Sequence, residues 1–202
     1  ASLDGADLKG ANLAGADLSG ARFYKADLQG AVLSRANLGD AILLSANLEG
    51  ARLDGANLRS ARVSGANLKG ADLSRAELEG ANLTDSNLTG ANLERAVLRN
   101  VEALTVRFTS ANLRYASLDS ANLKGDRYGH RADFAGANLS EATLRRAQLD
   151  HATLQGADMS RADFTGARLE AANMMKAKGA RAVFNQAVIA HAYCQEADLT
   201  DG

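Results

Sequence analysis

The sequence has no proline and no tryptophan, and its one cysteine is Cys194. A single cysteine excludes an internal disulfide framework and suits a reducing compartment, so a cytoplasmic location is favoured. No apolar run approaches the roughly 20 residues that a transmembrane helix needs, and no signal peptide is visible. Because the chain begins without methionine and already in the repeat register described below, we expect it to be an excised or processed segment.

Neither sign of charge dominates the chain. Its 23 lysines and arginines face 24 aspartates and glutamates, which leaves a formal net charge of −1. This balance argues against a nonspecific nucleic-acid binder, and equally against a strongly acidic protein that imitates DNA. Nucleic acid is therefore an improbable partner, and an unidentified protein is the expected one.

The chain instead consists largely of a five-residue repeat, called the word below, which occurs about forty times. ADLKG at 6–10 is followed by ANLAG at 11–15 and ADLSG at 16–20. Apolar residues spaced five apart would not line one face of a helix, because a helix turns by about 100° per residue. It would also flip between the two faces of a strand, because side chains alternate every two residues. The chain must therefore turn once per word, which predicts a solenoid.

Each position of the word has a physical role. The central apolar residue and the alanine two residues before it are predicted to point inward, where only a small side chain fits beside leucine. The Asp or Asn between them points outward and can hydrogen-bond nearby backbone, and the final Gly suits a turn with positive φ. Cys194 has a central position and is predicted to be a buried structural thiol. The predicted core includes Leu8, Leu13, Leu18, Phe23, Leu68, Phe134 and Phe184.

This word, which repeats along essentially the whole chain, resembles the pentapeptide-repeat family, whose consensus is A(D/N)LXX. The resemblance implies an all-β fold: a right-handed quadrilateral parallel β-helix with four repeats per coil and about ten coils, forming one domain over 1–202. The family is bacterial in type and abundant in cyanobacteria. The resemblance implies a noncatalytic structural or protein-interaction module. The alternative is a DNA mimic that binds a type II topoisomerase such as gyrase, and the near-neutral charge disfavours it.

The segment 126–131 (DRYGHR) departs from the word. Leu123 and Phe134 are eleven residues apart, one more than two words, so a one-residue register insertion is predicted here. The insertion is either a bulge that bends the rod or a recognition site, because repeat arrays often place binding residues on insertions. The candidate site residues in it are Arg127, Tyr128, His130 and Arg131.

Grouping residues twenty apart gives candidate binding faces. On the face through Leu3, outward apolar residues with flanking arginines predict a partner-binding patch, although scattered surface residues are the other reading. The patch consists of Arg22, Tyr24, Ile42, Leu44 and Arg62. The face through Leu13 carries several arginines among acids, and either is solvated or recognises phosphate or an acidic partner. The face through Leu18 is predicted to be the most acidic, with Glu77, Glu79, Asp119, Glu141, Asp158 and Asp198.

No residue pattern indicates an enzyme. The histidines His130, His151 and His191 are too far apart in the array for one metal ion, and no Ser-His-Asp arrangement stands out. We therefore expect no catalytic residues, no metal site and no cofactor. The C-terminal words are more apolar, which predicts end-to-end self-association around Phe184, Ile189 and Tyr193.

Overall fold

The computed structural model describes residues 1–125 and 128–200. Within these residues there is no helix and no extended strand. Each regular repeat instead contributes one isolated bridge residue, at its second position, and, except in repeat 121–125, a two-residue turn at its fourth and fifth positions. The chain therefore bends once per five-residue repeat, as the repeat pattern predicted.

Successive coils are joined by parallel bridges between residues twenty positions apart. Ser2 pairs with Arg22, and the same spacing continues from coil to coil. The amide of Leu8 donates to the carbonyl of Asp27 at 2.7 Å, and the amide of Asp27 donates to the carbonyl of Ala6 at 2.9 Å. The bridges thus pair each repeat with the fourth repeat after it, and outward side chains recur in columns every twenty residues. These columns fall into four sets, which we call faces and name after their first bridging residues: Ser2, Asp7, Asn12 and Asp17.

The first and third residues of the repeats form a single apolar core. Alanines and central leucines are buried from Ala21 to Ala182, and aromatic rings stack along the axis. The rings of Phe108 and Phe134 lie 5.0 Å apart. Three of the predicted core residues are fully buried: Phe23, Leu68 and Phe134. The other four lie in end coils and are only partly buried: Leu8, Leu13, Leu18 and Phe184.

The prediction that Cys194 is buried was wrong. Its side chain is exposed, although the residue occupies the central position of its repeat. It belongs to the last described coil, and no described coil lies beyond it to cover the interior. Even so, partial desolvation raises the pKa of the Cys194 thiol above its ordinary value.

Except at Gly125, the described fifth residues of the repeats adopt a left-handed backbone whether or not they are glycine. Non-glycine residues there have φ from 53° at Ala171 to 62° at His151. The second residue supports the same turn, as predicted. The Asp7 carboxylate accepts from the Lys9 amide at 3.3 Å, and Asn12 accepts from the Ala14 amide at 3.2 Å.

The segment 126–131 adds six residues, not the single residue that was predicted. Arg107 bridges to Asp133, 26 positions away, and the spacing returns to twenty when Asp133 bridges to Thr153. The count of one assumed that Tyr128 sits at the centre of a repeat. Instead 75% of its surface is exposed. The segment departs after Gly125 and returns against it, since a Cβ on Gly125 would lie 2.6 Å from the carbonyl oxygen of His130.

This insertion changes the face to which every later repeat belongs. Three acids that were expected on the Asp17 face follow or form the bridges of the Asn12 face: Glu141, Asp158 and Asp198. The prediction counted 126–131 as one repeat of the ladder. The ladder omits this segment, so each later repeat lies one face earlier than expected. The predicted acidic face is therefore less acidic than the sequence count indicated.

Candidate interaction surfaces

The predicted apolar patch lies on three consecutive coils of the Ser2 face. Arg22, Ile42 and Arg62 are stacked by consecutive bridges, and Tyr24 and Leu44 occupy equivalent fourth positions on neighbouring coils. Tyr24 is 41% exposed, whereas Ile42 and Leu44 are half-buried between the residues above and below them. The structure therefore brings the five residues together, with a single exposed aromatic ring in the patch.

One acidic residue organises the edge of this apolar patch. Asp4 accepts from Nη2 of Arg22 at 2.6 Å and from the amide of Tyr24 at 2.9 Å. Desolvation raises the pKa of Asp4, but these two hydrogen bonds outweigh it, and the net pKa is below its ordinary value. The ammonium of Lys25 lies 5.2 Å from the centre of the Tyr24 ring. Arg62 makes no ion pair within the described part of the chain, so it is the patch's free cation there.

The inserted segment forms the wall of a groove. Tyr128, His130 and Arg131 are exposed, while Arg127 lies outside the described residues. The groove between this segment and the Asp7 face has a volume of about 480 Å³. Its cationic side comes from the segment and from Arg107. The groove is lined by Thr105, Arg107, Gly129, His130, Arg131, Asp133, Thr153, Gln155 and Asn173.

Several acids of the Asp17 face are engaged by neighbouring groups. Glu77 lies 3.2 Å from Nη2 of Arg59, and Asp119 accepts from the amide of Arg145 at 3.0 Å. The side chain of Arg145 in turn binds Asp163 at 2.6 Å. This mixture of bases and acids differs from a continuous negative surface.

A groove on the Asn12 face emerges only when the coils are stacked. Arg35, Arg75 and Arg95 line a groove of about 320 Å³ whose walls also include Asp54 and Glu94. The sequence placed these residues on one face, but the groove depends on the side-chain-free corner at Gly55. In the sequence, the groove could have been found from arginines at the fifth position of repeats that lie multiples of twenty residues apart.

The histidines do not converge. His151 and His191 share a corner after the Ser2 face, with Ala171 between them on the intervening coil. Among the residues that the structure describes, no group of three or more His, Cys, Asp or Glu side chains could hold a metal ion. Across the same residues, no helix is long and apolar enough to span a bilayer.

Comparison with known sequences gives one family. The family model for pentapeptide repeats matches in eight copies, over segments 1–40, 31–70, 64–100, 86–125, 130–166 and 142–178. No curated protein sequence is significantly similar to the chain.

Solved structures of related repeats superpose on the whole chain. The crystal structure of HetL, a pentapeptide repeat protein involved in heterocyst differentiation regulation from the cyanobacterium Nostoc sp. strain PCC 7120, matches with a TM-score of 0.84 and 34% identity. The match covers 100% of this chain and 88% of HetL. Trypsin-treated QnrB1, a plasmid-mediated fluoroquinolone resistance protein, matches with a TM-score of 0.57 and 18% identity, over 99% of this chain and 90% of QnrB1. At that identity the second match concerns the fold alone.

Proposed function

Because the chain belongs to the pentapeptide-repeat family, we propose that it is a noncatalytic rigid rod that binds a partner protein through one face. In this proposal the whole chain is one right-handed quadrilateral β-helix of about ten coils. The rod positions side chains for binding and catalyses no reaction, since its fixed coil spacing holds outward side chains in register. HetL is involved in regulating differentiation, and a regulatory role through protein binding is the corresponding proposal for this chain.

The observation that carries the proposal is the apolar patch on the Ser2 face. Tyr24 is an exposed ring, and Ile42 and Leu44 on the next coil of the same face are also apolar. Aromatic residues and arginines are enriched at binding hot spots, because rings bury large areas and guanidinium groups pair with acids at the rim. Arg62 supplies a cation without an internal partner among the described residues, whereas Arg22 is already bound to Asp4.

The test is capture of partners from native lysate, followed by affinity measurement with the captured protein. Tyr24, Ile42 and Leu44 are changed together to Ser, and the control changes Val32 and Val97 to Ser. Those two valines are half-buried, outward residues of other faces. We expect the patch variant to lose binding and the control to keep it. Equal loss in both variants would contradict a localised site.

The insertion groove is a second candidate contact within the same function. Tyr128 is the most exposed of the large apolar side chains described, and His130 and Arg131 stand beside it. A partner that spans the Asp7 face would meet this segment at the side of the rod. In the same capture experiment, Tyr128→Ser alone would then weaken binding relative to the parent chain.

Topoisomerase binding by DNA mimicry is the less favoured function. It requires a continuous acidic surface, but bases interrupt the Asp17 face, and the net charge is only −1. A gyrase supercoiling-protection assay separates the two proposals. Protection by the parent chain that is lost when Glu77, Glu79 and Asp119 become Lys, and kept in the Tyr24 patch variant, would favour mimicry over the rod proposed here.

A further inference from the structure

One corner of the rod differs in composition from the others. The fifth residues that follow the Asp7 face are mostly glycine, including Gly10, Gly30, Gly50, Gly70 and Gly90. The fifth residues that follow the Asn12 face include Arg35, Arg75, Arg95, Arg161 and Arg181. Both corners have the same left-handed backbone, which glycine adopts more readily than arginine. The fold therefore does not require arginine at the second corner.

Most of these corner arginines have no partner in the described chain. The side chains of Arg35 and Arg75 make no hydrogen bond or ion pair with any described residue, although their backbone amides donate to the carbonyls of Asp54 and Glu94 at 2.9 Å. By contrast, Arg168 binds Asp150 at 3.0 Å and Arg145 binds Asp163 at 2.6 Å. Since a guanidinium group stays charged at any ordinary pH, Arg35 and Arg75 present free cations to solvent.

The groove at this corner gathers three guanidinium groups. Gly55 separates Arg35 from Arg75 and has no side chain, so it leaves the space of about 320 Å³ open. Asp54, on the wall, already accepts from Oγ of Ser34 at 2.5 Å. Glu94 lies 3.8 Å from Nε of Arg95. Arg52 also lies 3.6 Å from Asp54, so both acids of the groove are paired, and the donors without an internal partner among the described residues are those of Arg35 and Arg75.

An aromatic ring fixes one end of the groove. The guanidinium of Arg95 lies 5.2 Å from the centre of the Tyr115 ring, and that of Arg114 lies 4.6 Å from it. Arg114 is further held by Glu141 at 2.9 Å. Stacking restricts the Arg95 side chain before any ligand arrives, which lowers the entropy that binding must remove.

We propose that this groove binds the acidic stripe of an α-helix in a partner protein. Coils are about 4.8 Å apart, so Arg75 and Arg95 stand about 9.6 and 14.4 Å along the axis from Arg35. Carboxylates at helix positions i, i+7 and i+11 share one face and rise by about 10.5 and 16.5 Å. The mismatches are about 1 Å at Arg75 and about 2 Å at Arg95. Each pair can form the two parallel hydrogen bonds that guanidinium and carboxylate groups favour.

Two other ligands are less favoured. An extended strand presents its same-face carboxylates at about 6.7 and 13.4 Å, so its largest mismatch is about 3 Å, at the middle arginine, against about 2 Å for the helix. A nucleic-acid strand carries a charge at every nucleotide, and a chain with a net charge of −1 provides no general attraction for such a polyanion. The acidic helix is independent of the apolar patch, which lies on the Ser2 face.

The test uses a labelled, alanine-rich peptide of about 20 residues with Glu at i, i+4, i+7 and i+11, titrated by fluorescence anisotropy at low salt. One variant combines Arg35→Gly, Arg75→Gly and Arg95→Gly. The matched control combines Lys25→Gly, Arg146→Gly and Lys176→Gly, which removes three positive charges from left-handed corners elsewhere. We expect affinity to fall about tenfold or more in the first variant and less than about twofold in the control.

Thermal unfolding keeps this experiment interpretable. Glycine suits the left-handed corner, so neither variant should have a lower Tm than the parent chain. The proposal is overturned if the parent chain fails to bind the peptide, or if both variants weaken binding equally. It is also overturned if a peptide with the same glutamates spread around the helix binds equally well, or if single-stranded DNA of equal charge binds more tightly. The Tyr24 patch variant should bind the peptide normally, which separates this proposal from the proposed function.

Discussion

At the scale of single residues, the turn requires a left-handed backbone at the fifth position of the repeat, and two kinds of residue provide it. Glycine meets it without steric conflict, whereas 23 described non-glycine residues adopt φ near 60° despite the crowding of Cβ against the backbone. The rod tolerates this because coil-to-coil hydrogen bonds hold each turn, as between the Lys25 amide and the Leu44 carbonyl at 3.0 Å. Residue choice at the corner is therefore free to serve binding.

Two adjacent alanines provide the sharpest residue-scale prediction. Ala171 has φ of 53° at a corner, while Ala172 is buried at the first position of the next repeat. Ala171→Gly should raise the free energy of unfolding by about 0.5 kcal/mol, because relief of the left-handed strain exceeds the added freedom of the unfolded chain. Ala172→Gly should lower it by about 1–2 kcal/mol through lost packing and added flexibility. Urea unfolding of both variants checks the signs, and two losses of equal size would contradict this account of the turn.

At the scale of the repeat, the inserted segment lies outside the ladder of coils. Arg107 and Asp133 bridge across it as if it were absent, and its described side chains are exposed. An insertion at a corner can leave the stacking of the flanking repeats unchanged, because the chain leaves the rod and returns at almost the same point. The closeness of Gly125 to the His130 carbonyl is evidence of that return.

Deletion of 126–131 should therefore be tolerated. The flanking bridges would regain the ordinary spacing of twenty, and Gly125 could adopt the left-handed turn. We expect the free energy of unfolding to change by less than about 1 kcal/mol. The control deletes the regular repeat 86–90, which moves every later repeat by one face and mismatches the stacked columns, and should cost several times more. Similar losses in the two deletions would show that 126–131 is part of the rod.

Most of the fold, and less of the site, could be predicted from sequence. The five-residue period excludes helix and strand, so buried positions such as Leu68 follow directly from the word. The length of the insertion did not follow, because Tyr128 stands where a central apolar residue would stand in a repeat. The exposure of Cys194 depends on what covers the last coil, which the word does not encode. The arginine groove required the face register and the gap at Gly55, which only the stacked coils provide.

At the scale of the whole molecule, the C-terminal coils are the most apolar exposed surface described. Val188 is 45% exposed, Ile189 39% and Tyr193 54%, and the ring of Phe184 stacks on Phe164 with one side less covered. Coil ends also present backbone groups that can extend the ladder to another chain. Association through this end remains a prediction for the 202-residue chain.

Light scattering across a concentration series tests this association. The parent chain should increase in mass with concentration, and a variant with Ile189→Asp and Tyr193→Asp should remain a monomer, because two carboxylates would be desolvated in the contact. Tyr128→Asp is the control, since that residue is exposed on the side of the rod. A strictly monomeric parent chain at high concentration would rule out the contact.

The twenty-residue coil also determines which duplications in the gene preserve the surfaces of the rod. A coil corresponds to twenty codons, that is, three nucleotides for each of twenty residues. An in-frame duplication of one coil lengthens the rod and keeps every column of side chains aligned, including the arginine corner. A duplication of a single five-codon repeat moves all downstream residues to the neighbouring face, so the arginines of that corner are divided between two corners. Whole-coil duplication is thus the mutation that this architecture can accept without losing a binding surface, and single-repeat gains redistribute its surfaces at one step.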